Sequence, residues 1–197
     1  GGATTDVHSV SDPSDDYAEY LEGEPLLKRS VEGDLGVFIN HKEVMKLFKE
    51  DELIYKLSMD QEKLEKLLKD YTYIPTTIDQ RKLVFELIGK CVHVALNRHI
   101  GDLRRVFTTM GQKVIPEGKD CTQVEHIVLT GGALINLENT EEIVREYIRK
   151  NPTKLAPNKN VNIYKDHDYI MASVGVLSLK YPEIAVKLLK QSLRIEG

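Results

Sequence analysis

An α/β fold with a small sheet and a large helical share is what this sequence predicts, and three features predict it. Residues 3–10 alternate in the β-branched, period-two manner of a strand. Residues 77–107 carry the apolar stripe of one long helix. His126-Ile127-Val128-Leu129-Thr130 is a short continuous apolar run ending in Gly131-Gly132-Ala133. Both periods occur within 197 residues without an internal repeat, which fits a single domain.

In chain order, the first strand leaves a Gly1-Gly2 turn, with Thr5, Val7 and Ser9 alternating against Asp6 and His8. Residues 11–25, with Ser, Asp, Gly, Pro and an acidic bias, read as a mobile surface excursion. Within 28–40, Val31-Glu32-Gly33-Asp34-Leu35-Gly36 has the spacing of a turn against a ligand or a helix start. A helix over 41–57 follows, with Val44, Leu47, Phe48 and Ile54 on its stripe. Another over 60–71 is capped by Asp60 and carries Leu64, Leu67 and Leu68 inward. Thr77 caps the long helix, whose apolar face is Val84, Leu87, Ile88, Cys91, Ala95 and Leu96. The run at 126–130 is the pattern of a strand buried on both faces. A helix over 140–150 turns Ile143, Val144, Tyr147 and Ile148 inward, and 161–164 is a second short strand. Two helices, 168–179 and 182–194, close the chain, with Pro182 in the first turn.

Composition narrows the function classes. Hydrophobic residues make up 41% and charged residues 29%, enough for a folded core. Asp plus Glu (31) exceed Lys plus Arg (27), and a net charge of −4 argues against a nucleic-acid partner. No apolar run approaches the ~20 residues that span a bilayer, and no signal-peptide pattern opens the chain. The expected setting is therefore soluble and cytoplasmic, without membrane association. Cys91 and Cys121 lack metal-ligand spacing. Cys91 belongs to the apolar stripe, whereas Cys121, in a loop beside Lys119 and Asp120, can be exposed. His93 and His99, six residues apart, do not share a helix face and are read as structural or solvated. Of Asp166 and Asp168, which flank His167, one is expected to cap the following helix. Glu62, Lys63, Glu65, Lys66 and Lys69 form a solvated face, with residues 41–71 alternatively a partner-docking surface.

Three glycine-bearing stretches can carry chemistry. Gly1-Gly2-Ala3-Thr4-Thr5-Asp6 lets backbone approach an oxyanion, offers hydroxyl and amide donors, and adds a carboxylate for a metal-bound water. Val128-Leu129-Thr130-Gly131-Gly132-Ala133 places a double glycine beyond the carboxyl end of a strand, where open α/β sheets bind ligands. Glu32-Gly33-Asp34-Leu35-Gly36 is the third. Taken singly, each also reads as a plain turn.

Together the stretches resemble the actin, sugar-kinase and heat-shock-chaperone ATPase superfamily, in its second phosphate loop (commonly Asp-x-Gly-Gly-x-Thr-x-Asp) and its adenosine motif. Within that superfamily the chain is similar to the MutL-type (GlmL) accessory proteins of adenosylcobalamin-dependent glutamate mutase, which are unrelated to the mismatch-repair proteins of that name. The similarity is carried by Gly1 to Val10, Lys28-Arg29-Ser30-Val31-Glu32-Gly33-Asp34-Leu35-Gly36, Leu129 to Asn136, and Asp168 through Leu177. It extends from Gly1 to about Leu193.

The resemblance implies the second, C-terminal lobe of an actin-like (ribonuclease H-like) ATPase fold spanning 1–197. Residues 1–10 would form a phosphate-loop strand and 41–76 a helical insertion. Residues 77–197 would hold the long helix, the adenosine-motif strand and the closing helices. It implies ATP and Mg²⁺ as cofactors, and mutase subunits as partners that handle the adenosylcobalamin themselves. Gly1, Gly2, Thr4 and Thr5 would face phosphates, and Asp6 would place Mg²⁺ or the attacking water. Gly131, Gly132 and Ala133 would line adenosine, and Glu32, Gly33 and Asp34 the ribose or phosphate side. The aspartate and strand expected before the Gly-Gly, and a first phosphate loop, do not occur in the sequence, which lacks an initiator Met. An N-terminal lobe of the same protein is thus an expected partner, and little ATP hydrolysis is expected without it. A lobe of a small-molecule kinase, or a degenerate partner-binding lobe without nucleotide, are the alternatives.

Overall fold

A computed structural model of the chain describes residues 2–21, 24–109 and 111–195. The strands are β1 (Thr5–Val10), β2 (Leu27–Glu32), β3 (Asp102–Thr108), β4 (Gly111–Glu117), β5 (His126–Leu129) and β6 (Asn162–Lys165). The helices are α1 (His41–Met45), α2 (Glu52–Leu57), α3 (Gln61–Lys69), α4 (Ile78–His99), α5 (Gly132–Asn136), α6 (Glu141–Lys150), α7 (Met171–Ser178) and α8 (Pro182–Ser192). The fold is mixed α/β, as expected. Instead of one small mixed sheet, however, the described strands form three separate pairs. β1 and β2 are antiparallel with Thr5 opposite Glu32, β3 and β4 are antiparallel with Asp102 opposite Glu117, and β5 and β6 are parallel with Leu129 opposite Lys165. No described helix is long and apolar enough to cross a membrane.

Helix α4 organises these pieces. It starts in a capping box: Thr77 Oγ1 accepts from the Gln80 N–H (3.2 Å), and Gln80 Oε1 accepts from the Thr77 N–H (3.2 Å). Its 22 residues bury Leu83, Val84, Leu87, Ile88, Cys91, Val92 and Ala95. Packed on that face are β1, β2, α1, α2, α5 and α6. Burial pushes the Cys91 thiol up to about 12, so it is an inert core group.

The helix ends at His99 and not at 107. Ile100 turns extended (ψ 136°), and Gly101 then brings the backbone against the end of β4. A Cβ at Gly101 would lie 2.4 Å from the Glu117 carbonyl oxygen, so only glycine fits there. The residues read as the last helical turns are β3, and the hairpin with β4 turns at Gly111 (φ 118°). Cations close the carboxyl end of α4. Lys154 Nζ donates to the carbonyls of Asn97 (2.8 Å) and Ile100 (3.1 Å), and Lys28 Nζ donates to that of His99 (3.1 Å).

Other boundaries shift for local reasons. The 41–57 helix is broken into α1 and α2, with Asp51 left-handed (φ 62°) between them and Ser58 (φ 51°) ending the second. Asp60 caps α3 as expected, accepting from the Lys63 N–H at 2.8 Å. Strand β2 occupies part of the stretch read as a turn, because its Lys28, Arg29 and Glu32 hide the alternation of an exposed edge strand. β5 is not buried on both faces: His126 is exposed, Ile127 and Val128 are half-buried, and Leu129 is buried, since only two strands pair there. Cys121 is buried, not exposed, in a small second core with Leu21, Ile100, Tyr147 and Leu155.

His99 is 1% exposed and fills a structural role, as read. Its Nε2 lies 2.8 Å from Ser9 Oγ on β1 and its Nδ1 lies 2.8 Å from Ser30 Oγ on β2. Burial, reinforced by Lys28, Lys119 and His8, pushes its pKa down to about 4. The unfolded chain takes up this proton near pH 6.5. The neutral ring therefore supports folding fully above pH 6.5, and that support is lost as pH falls from 6.5 towards 4, a difference of roughly 3 kcal/mol. Urea denaturation at pH 7 and pH 4.5 is expected to show the loss in the parent and a clearly smaller one in His99→Gln. Equal losses in both would place the acid sensitivity elsewhere.

Candidate functional site

The opening segment and the 33–36 turn are laced together. The Gly2 carbonyl accepts from the N–H groups of Phe38 (3.0 Å) and Ile39 (2.8 Å). Asn40 Nδ2 donates to the carbonyls of Ala3 (2.8 Å) and Gly33 (2.8 Å). The buried Thr5 hydroxyl donates to the Leu35 carbonyl (2.5 Å), so in this arrangement it braces the turn. Gly36 lets the two backbones touch, because a Cβ there would sit 2.3 Å from the Ala3 carbonyl oxygen. An aromatic wall backs the segment: Phe38 meets Tyr73 edge-on (4.8 Å between centroids) and stacks towards Tyr71 (6.1 Å). A Cβ at Gly2 would come within 3.3 Å of the Tyr73 ring. Gly33 faces open space, with no described atom within 4 Å of a Cβ there. Gly2, Thr4 and Thr5 are thus brought together with Glu32, Gly33 and Asp34, while Gly1 lies outside the described residues.

Each carboxylate of this cluster meets a guanidinium. Arg29 pairs with Asp6 at 2.9 Å, diagonally across β1 and β2. Its hydrogen bond, aided by one from Thr4, holds the Asp6 carboxyl below the usual carboxylate range despite some burial. Arg98, near the end of α4, pairs with both Glu32 and Asp34, the latter at 3.2 Å. The Arg98 hydrogen bond likewise lowers the pKa of Asp34. Asp6 is therefore an ionised, solvent-reachable carboxylate paired with Arg29. Among the described residues, no group of three or more His, Cys, Asp or Glu side chains converges to hold a metal by itself.

The third stretch stands on different elements. The parallel strands β5 and β6 deliver Gly131 at their carboxyl end, buried and left-handed (φ 103°), a conformation that favours glycine. Gly132 is exposed, with no described atom within 4 Å of a Cβ placed on it. Ala133 and Leu134 pack on the α4 core, as does Val7 of β1, so both loops lean on one helix. Thr130 donates to Asp166 Oδ2 (3.0 Å), and Asp166 accepts from the N–H groups of Ile170 (3.0 Å) and Met171 (2.9 Å). Asp166 is thus the aspartate that caps the following helix.

Asn40 and Arg98 were not picked out by sequence reasoning, and Thr130 was named only as part of the strand and glycine motif, with no role for its hydroxyl. Arg98 lies 64 residues from Asp34 and has no local signature. Asn40 stands just before a helix, but its side chain does not cap that helix and instead ties Ala3 to Gly33.

Gly36→Ala is expected to destabilise the fold by about 2 kcal/mol or more, because the new methyl meets backbone that cannot yield. Gly33→Ala, facing open space, is expected to change stability by less than about 0.5 kcal/mol. Paired urea melts of the two variants check the contrast.

A family model described as MutL protein matches residues 1–193. The protein named MutL of Clostridium tetanomorphum is 32% identical over 203 aligned positions, covering 98% of this chain and 44% of the relative. The chain therefore spans less than half the length of that relative. No solved structure is similar to it.

Proposed function

The chain belongs to the MutL family, and on that premise we propose that it is the nucleotide-binding half of an ATP-dependent chaperone or reactivating factor. Its client would be an adenosylcobalamin-dependent mutase of the glutamate mutase type. What carries this reading is the geometry at Gly131 and Gly132: a parallel strand pair ends in a left-handed glycine, followed by a glycine that faces open space. Carboxyl ends of parallel strands are where α/β sheets hold ligands, and a bare backbone allows a flat base to approach closely.

In this reading Gly131, Gly132 and Ala133 hold adenosine. Gly2 and Thr4, with Gly1 ahead of them, face the phosphates, together with Thr5 should its hydroxyl leave Leu35. Asp6, ionised beside Arg29, orients a water of hydrated Mg²⁺, the ion supplying charge neutralisation at the phosphates. Glu32, Gly33 and Asp34 flank the ribose or phosphate side. The rest of the protein would close over the nucleotide, and closure would change mutase affinity only through differential binding to the two states. A protein partner is also supported by α7, α8 and the turn between them, where Val176, Leu179, Ile184 and Val186 stand more than half exposed. Two observations favour a second reading, a partner-binding lobe without nucleotide: Thr5 is bonded to Leu35, and Arg98 occupies both Glu32 and Asp34.

Titration of Mg-ATP and Mg-ADP into the full-length protein, followed by calorimetry, distinguishes the two. Binding by the parent that weakens at least about tenfold in Gly132→Val is expected, since the valine fills the space assigned to the base. No heat with either nucleotide would leave the partner-binding reading.

A further inference from the structure

Asp166 is completely buried and serves three elements at once. Its Oδ1 accepts from the Ile170 N–H (3.0 Å) and the Ser192 hydroxyl (2.6 Å). Its Oδ2 accepts from the Met171 N–H (2.9 Å) and the Thr130 hydroxyl (3.0 Å). Its own N–H donates to the Leu129 carbonyl (2.9 Å). Ser192, also completely buried, accepts at Oγ from the Asp168 N–H (3.0 Å) and at its carbonyl from the His167 N–H (3.1 Å). The end of β5, the start of α7 and the end of α8 therefore meet on one carboxylate. Burial alone would raise this carboxyl, but the donors from Ser192, Met171, Ile170 and Thr130 outweigh it and hold it below the usual carboxylate range.

Little else fixes α7 and α8 by apolar burial. Val174 is the buried side chain of α7, and Ala185 and Ser192 are those of α8. Two short helices with so small a buried face belong to the low-stability end of a fold, where a single polar junction decides local order. Thr130 immediately precedes Gly131, so its hydroxyl is the last side-chain anchor before the loop. The Thr130–Asp166 bond links the loop to this junction, and any coupling it carries runs equally in both directions.

Resting on the nucleotide reading above, we propose that Thr130 and Asp166 are positioning residues that clamp the Gly131–Ala133 loop to the α7–α8 pair. A nucleotide held by the loop then tightens the pair and the exposed apolar face it carries. Coupling of this kind needs no large movement, only a ligand that reduces the disorder both elements share.

Hydrogen exchange of the full-length protein with and without Mg-ADP tests the clamp. Mg-ADP is expected to slow amide exchange across 171–190 by about tenfold in the parent and by less than about twofold in Thr130→Val, which keeps the side chain's shape and loses the hydroxyl. Thr130→Ser, which restores the hydroxyl, is expected to restore the response. Equal slowing in parent and Thr130→Val overturns the clamp, as does unchanged exchange in a parent that binds Mg-ADP. If Mg-ADP does not bind at all, the nucleotide reading fails, and the ligand-free proteins still decide the clamp. Thr130→Val must then exchange at 131–134 and at 170–171 at least about fivefold faster than both parent and Thr130→Ser. Equal rates overturn it.

Discussion

The buried face of α4, from Leu83 to Ala95, is the surface on which both glycine loops are built. β1 lays Val7 on it and so positions the segment from Gly2 to Asp6, and α5 lays Ala133 and Leu134 on it and so positions Gly131. Neither loop is joined to the other through a common sheet, because the described strands form three isolated pairs. Apolar packing on one helix therefore replaces the backbone ladders of a continuous sheet. A helix can fill that role because its side chains, at three- and four-residue spacing, offer a continuous apolar stripe to pieces approaching from several directions.

Where ladders are short, polar side chains satisfy the backbone groups left over. Lys119 is 2% exposed and donates to the carbonyls of Ser11 (2.5 Å), Pro25 (2.8 Å) and Leu26 (3.0 Å), filling all three ammonium donors. Asp120 accepts from the N–H groups of Ser14 (2.9 Å) and Thr122 (2.8 Å). The stretch leaving β1 is thus pinned to the 119–122 loop. Lys165 does the same for the Leu137 carbonyl (3.0 Å), and Asn40 for the Gly2-side loop. These polar residues are joints between elements, and the buried lysines and Asp120 are compensated for lost hydration by hydrogen bonds and, at Lys165, by the ion pair with Glu141.

The two loops differ in what is already arranged. At Gly131 and Gly132 the backbone is set and space is open beside it, whereas around Asp6, Glu32 and Asp34 the charged groups are paired with Arg29 and Arg98. A ligand approaching the second cluster has to share or exchange those guanidinium contacts. Exposed pairs of this kind hold weakly, so such an exchange costs little.

Much of this was legible locally. Period-two alternation marks β1, Thr77 marks the start of α4, Asp60 marks α3, and Pro182 marks α8, because each signal acts within one turn of chain. The glycine pair after Leu129 likewise announces a sharp turn after a strand. The end of α4 was not legible, since Gly101 is dictated by the backbone of Glu117, sixteen residues on, and a helix-compatible sequence follows it. β2 hides behind charged residues, and the break at Asp51 separates two short helices that each pack on α4. Cys121 is buried because Leu21 and Leu155 come to cover it from either side in sequence. By itself the sequence determined the elements with local capping and patterning, and the glycines where backbone must come close. Only the tertiary structure decided which loops share a neighbourhood, and that Arg98 and Asp166 would serve them, because charge pairing and buried hydrogen bonds depend on distance in space and leave no mark on spacing along the chain.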